Sequence, residues 1–170
     1  AWLRSRGLDA AITAHAAAGR PVLGICGGFQ MLGRSVHDPD GVEGDAGAYV
    51  EGLGLLDVTT TFALEKALWL PHGEALGAST YGYEIHHGRI TRDPDAEEFL
   101  GGARAGQVFG TMWHGSLEGD AFRAAFLAEV ADLEPIDWGL VPASHLRFGQ
   151  ILEIGRLIEA ATAREDIDGA

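Results

Sequence analysis

The chain of 170 residues is 46% hydrophobic and 22% charged, a globular composition without an apolar run of membrane-spanning length. Its 12 Lys and Arg stand against 25 Asp and Glu, a net charge of −13 with Lys66 the sole lysine, which argues against a phosphate-backbone footprint and so against nucleic acid as a partner. The length suits one domain, and a single cysteine excludes an internal disulfide.

The opening, Ala1-Trp2-Leu3-Arg4-Ser5-Arg6, has no methionine and no preceding strand, and reads as a piece of something longer. Leu3, Leu8, Ile12 and several alanines before Gly19 predict a short helical turn, then an amphipathic helix ending at a glycine cap. Pro21 to Ile25 is a short apolar run with the character of a buried strand, and Phe29, Leu32 and Val36 have the spacing of a helix. Between them lies Gly24-Ile25-Cys26-Gly27-Gly28, which places Cys26 at a strand-to-helix elbow. The positive end of a helix favours thiolate over thiol, so Cys26 is the candidate nucleophile, and the amide of Gly27 would face a developing oxyanion. A reducing, cytoplasmic setting follows from that role.

His37 to Gly41 supplies turn chemistry, and Gly41 to Gly54 reads as an acidic, glycine-rich loop near the thiol. Leu55 to Phe62 alternates as a strand, with Ala67 to Leu70 as a second strand of an antiparallel pair. Tyr81 to Ile90 is a strand loaded with ionisable groups; alternation puts Tyr83, Ile85 and His87 on one face and Gly82, Glu84 and His86 on the other. Adjacent histidines on opposite faces, without a ligand cluster, do not make a metal site, and none is expected. Gln107 to Trp113 is a further strand ending at His114, and Asp120 is a candidate cap for a helix over Ala121 to Val130. In open α/β sheets ligands sit at the carboxyl ends of strands, where Cys26 and His114 could meet as nucleophile and base. His15 and His145 fall in helical patterns, and His37 and His72 in turns. Glu134 to Gly139 is a break, Ala143 to Ala163 resumes helical spacing, and Arg164 to Ala170 is a charged tail. No Gly-x-x-x-x-Gly-Lys-Ser/Thr loop for ATP occurs.

Gly24-Ile25-Cys26-Gly27-Gly28-Phe29-Gln30-Met31-Leu32 resembles the elbow of class I glutamine amidotransferases. Together with Gly82-Tyr83-Glu84-Ile85-His86-His87-Gly88 and Gly110-Thr111-Met112-Trp113-His114-Gly115, it resembles the carboxyl-terminal amidotransferase domain of cobyric acid synthases. The resemblance implies an open, mostly parallel α/β sheet flanked by helices, flavodoxin-like, spanning residues 1–170. It implies a Cys26–His114 glutaminase with Gly27 in the oxyanion hole and Gln30, Tyr83, Glu84 and His86 toward glutamine. Ser116 occupies the position where many class I members carry the orienting Glu, with Glu118 a weak substitute. The resemblance further implies a synthetase domain of the same enzyme, using ATP and Mg to amidate corrinoid carboxylates, and no cofactor in the amidotransferase domain itself. Family members carry earlier strands and a Pro-Gly-Ser loop that supply the second oxyanion amide, and the expectation is that this chain starts after them. The alternatives are the amidotransferase part of another ATP-dependent ligase, of the a,c-diamide synthase or lipid II-amidating type, or a catalytically silent docking fragment.

Overall fold

The computed structural model describes residues 2–131. The helical spacing over Ala143 to Ala163, the break at Glu134 to Gly139, His145 and the tail from Arg164 lie outside the described residues. Two helices come first, α1 (Trp2–Ser5) and α2 (Leu8–Ala17), as the alanine-rich spacing predicts. The chain then turns through Gly19 at φ 70. No residue of α2 is fully buried, and Ile12 and Ala16 rest on the main core from outside.

β1 (Val22–Ile25) pairs in parallel with β10 (Val108–Thr111), Val22 opposite Val108 and Ile25 opposite Thr111. β9 (Gly102–Ala105) and β8 (Glu97–Phe99) extend this sheet antiparallel, in the order β1-β10-β9-β8. A second sheet comprises β2 (Ser35–Asp38), β3 (Ala48–Glu51), β4 (Val58–Trp69) and β7 (Glu84–Arg92), in the order β3-β2-β4-β7. A hairpin of β5 (His72–Ala75) and β6 (Ala78–Tyr81) carries α4 (Asp120–Ala131) on it. Among the described residues no helix is long and apolar enough to cross a membrane.

The class is α/β, with helices flanking sheets that contain parallel pairs. The sheets are mixed rather than mostly parallel: parallel pairing among the described residues is confined to β1–β10 and β2–β4. Short turns explain much of this, because a strand joined to the next by a few residues can only fold back antiparallel, as in β8–β9 and β9–β10.

Between the sheets sits α3 (Gly27–Leu32), only six residues long. Phe29, fully buried, faces the first sheet, where a Cβ added at Gly110 would come within 2.1 Å of its ring. Gln30, 8% exposed, faces the second, its Nε2 2.3 Å from the place of a Cβ on Gly88. Leu32 closes on β1, 2.6 Å from the place of a Cβ on Gly24. Each neighbour is a glycine because a helix this close to three strands leaves no room for a side chain.

Several boundaries differ from the sequence reading. Val36 lies in β2 rather than on the elbow helix, because Gly33 leaves the helix with ψ −177 and passes tightly over Val58. Ala67 to Leu70 is no separate strand: residues to Trp69 are the far half of β4, beyond an irregularity between Phe62 and Ala67 that preserves pairing with β7. Gly41 to Gly54 contains β3, and the amides of Leu53, Gly54 and Leu55 bond the carbonyls of Met31, Gly33 and Leu32. That segment therefore caps the carboxyl end of α3, the end away from Cys26. His37 and His72 lie in β2 and β5 rather than in turns.

The β2–β3 loop is organised by Asp38, whose carboxylate accepts from the amides of Val42 (2.8 Å), Glu43 (2.8 Å) and Gly44 (2.9 Å). Burial alone would raise its pKa; these amides and that of Gly41 outweigh it and hold the carboxyl below its ordinary value. A lowered folded pKa contributes stability above the unfolded value and loses it as pH falls through the folded one. Asp38→Asn is therefore expected to lower the thermal midpoint at neutral pH, with the gap to the parent closing below about pH 4. Melting curves across an acid pH series would show it; a gap independent of pH would contradict it.

Candidate active site

Cys26 follows β1 directly, with φ 51 and ψ −114. A non-glycine residue there carries strain of about 1–3 kcal/mol, which the surroundings must hold in place. Two backbone bonds do so: the Cys26 amide donates to the Thr111 carbonyl (2.9 Å), and the Cys26 carbonyl accepts from the Gln30 amide (3.0 Å). The positive φ falls on the cysteine itself; the φ values of Gly27 and Gly28 are not positive. What these glycines supply is space, since nothing stands within 4 Å of where their side chains would be. The first helical amides, Gly27 among them, have no partner within the helix.

His114 is presented by the other strand of the parallel pair. Thr111, fully buried at the end of β10, donates its hydroxyl to the Leu100 carbonyl (2.8 Å) and accepts the Trp113 amide (3.0 Å). That clamp turns the chain out of the sheet and leaves Trp113 wedged against Gly73 and Gly101, each with a Cβ position 3.0 Å from the indole. His114 then pairs with Tyr83 through both backbone bonds, Tyr83 amide to His114 carbonyl (3.0 Å) and His114 amide to Tyr83 carbonyl (2.9 Å). The rings stack, 4.9 Å between centroids and 11° between planes. Cys26 and His114 thus leave the carboxyl ends of adjacent parallel strands in register. The His114 Nε2 is buried and makes no hydrogen bond, so that atom is not bonded to the thiol in this structure. Catalytic hydrogen bonds often tighten only once substrate is present.

The inward face of β7 forms a third wall. Glu84, His86 and Gly88 alternate onto it as the strand period requires. Glu84 Oε2 lies 3.2 Å from His86 Nε2, and the His86 side chain is 9% exposed. His86 Nδ1 and Thr60 Oγ1, both buried, lack a partner. Gln30 lies over Gly88 beside Thr60, so the wall runs from Tyr83 at His114 to Gln30 one helical turn beyond Cys26. His87 points the other way, its Nδ1 donating to the Ala63 carbonyl (3.0 Å) across the irregular part of β4. Among the described residues no group of three or more His, Cys, Asp or Glu could hold a metal ion.

Ser116 is buried, with its carbonyl accepting the Thr80 hydroxyl at 2.6 Å. The Glu118 carboxylate packs beside Gly115, the residue after His114, 3.2 Å from the place of a Cβ there. Sequence reading missed Thr60, the Thr111 clamp and the Tyr83–His114 stack. The glycines at 82 and 88 were the available signal, since each marks a close approach to the chain it faces.

A parallel strand pair that presents a strained cysteine elbow and a histidine defines an α/β domain of glutamine amidotransferase type. The chain belongs to the CobB/CobQ-like glutamine amidotransferase family, whose model matches residues 1–122. It is similar to the cobyric acid synthase of Mycobacterium ulcerans (strain Agy99), 69% identical over 133 residues, covering 78% of this chain and 27% of that protein. The cobyric acid synthase of Mycobacterium tuberculosis (strain ATCC 25618 / H37Rv) is 67% identical over 137 residues, covering 79% of this chain and 28% of that protein. The chain spans about a quarter of the length of these curated relatives.

Proposed function

We propose that residues 1–170 form the glutaminase domain of a cobyric acid synthase-like ligase, acting in the cytoplasm. The observation that carries this reading is the Cys26 elbow, strained at φ 51 and registered to the strand that presents His114. Cys26 Sγ attacks the side-chain amide carbon of glutamine as His114 takes the thiol proton. The Gly27 amide stabilises the tetrahedral oxyanion. The C–N bond breaks, His114 protonates the leaving nitrogen, and ammonia departs from a γ-glutamyl thioester. Water then attacks the thioester with His114 as base, the C–S bond breaks, and glutamate leaves with the thiol restored. The balance is glutamine and water to glutamate and ammonia.

Gln30, Glu84 and His86 hold glutamine along the β7 wall, with Tyr83 at its margin; the partnerless His86 Nδ1 and Thr60 Oγ1 support a polar ligand there. The likeness to cobyric acid synthases supports amidation of corrinoid carboxylates as the use of the ammonia. The ATP and Mg for that step belong to a synthetase domain, and this domain needs no cofactor of its own. The test is mass spectrometry after exposure to 6-diazo-5-oxo-norleucine. Labelling at Cys26 that excess glutamine suppresses is the expected result. A folded protein that takes up no label would favour a silent docking role instead.

A further inference from the structure

We propose that Tyr83 is the positioning residue for His114, doing by ring stacking what a carboxylate does in a catalytic triad; this rests on the glutaminase reading above. Three features converge on it. The Tyr83 ring lies nearly parallel to the imidazole at 4.9 Å, which fixes the plane of the base without occupying either ring nitrogen. The reciprocal backbone bonds between the two residues tie the stack to the main chain, so the orientation does not depend on a long side chain. Gly82 allows that contact: a Cβ there would lie 2.8 Å from the His114 carbonyl and 3.0 Å from Trp113 Cβ.

Tyr83 is otherwise poorly explained by folding. It is 46% exposed and belongs to neither apolar cluster of the core. Its one aromatic contact among the described residues is the His114 ring, and unlike the looser, tilted Tyr49–His37 pair at 6.3 Å and 59° the two rings are stacked. Ser116 cannot serve it as a carboxylate would, and its backbone is committed to Thr80.

The test combines kinetics with a spectroscopic readout. In the unsubstituted chain, NMR of the His114 ring protons should show an upfield ring-current shift. Tyr83→Leu, which keeps bulk but removes the aromatic face, should abolish that shift and lower kcat for glutamine hydrolysis about ten- to a hundredfold with little change in KM. Tyr83→Phe should restore both. A rise in KM with kcat unchanged would make Tyr83 a substrate contact and overturn the positioning role, as would a loss of kcat shared equally by Tyr83→Phe. An unshifted His114 ring in the unsubstituted chain would overturn it without any variant having to fold. If the unsubstituted chain neither hydrolyses glutamine nor takes up glutamine-suppressible label, the glutaminase reading itself fails and this inference fails with it.

Discussion

Cys26→Ala is expected to lose glutamine hydrolysis entirely, a fall on the order of 10⁴-fold or more, because no other group in the site can form the thioester. The variant should remain folded. Alanine keeps the Cβ that strains the backbone at φ 51, and the bonds that hold the elbow, from Cys26 to Thr111 and from Gln30 to Cys26, are backbone bonds that substitution leaves intact. Cys26→Gly removes the strain as well as the thiol, so it should be more stable than Cys26→Ala by about 1 kcal/mol while equally inactive. Glutaminase assays with parallel denaturant titrations would check both halves. Full activity in Cys26→Ala would sink the assignment, and a glycine variant no more stable than the alanine one would remove the strain from the elbow.

The second large effect concerns stability. Phe29→Ala is expected to cost about 3–5 kcal/mol, a large share of the roughly 5–15 kcal/mol that holds a domain together. Phe29 is fully buried, and the ring lies against Gly110 and Gly102, which have no side chains with which to refill the space. The helix loses its seat on the first sheet, so Cys26 should also lose reactivity toward a glutamine-mimicking electrophile. Chemical unfolding and labelling of the same sample would report the two losses together. A variant that unfolds like its parent would mean that α3 is held by the second sheet alone.

The elbow, the strand leading to His114 and the alternation of β7 were legible in the sequence because each depends on local pattern. Pro21 to Leu32 changes from a short apolar run to a helical period around one cysteine, and Glu84, His86 and Gly88 share a face by strand geometry alone. What was not legible depends on contacts between distant segments. Val36 continues a helical spacing and still lies in β2, because Gly33 approaches the Val58 backbone too closely for the helix to go on. Similarly, nothing local distinguishes Ala67 as part of the same strand as Thr60; pairing with His86 across the irregularity decides it. Parallel order was overestimated because the antiparallel direction of β8, β9 and β10 is set by short connections, and that of β3 and β7 by longer returns, neither of which composition marks. The Tyr83–His114 stack likewise joins two motifs that the sequence presents separately.

The seating of α3 against Gly24, Gly88 and Gly110 has a consequence for how this domain can change over generations. A side chain at 110 would meet the Phe29 ring and Leu56, and one at 88 the Gln30 amide, so a larger residue at either position requires a smaller counterpart, whereas one at 24 would meet the helix backbone at Gly28 and Phe29 as well as Leu32. The exchange at 110 trades one apolar volume for another and can be made stepwise through repacking, while position 24 stays glycine because no side-chain change moves the helix backbone away. The exchange at 88 involves a polar amide one helical turn beyond Cys26, so a library that randomises residues 30 and 88 together should recover folded proteins far more readily than active ones.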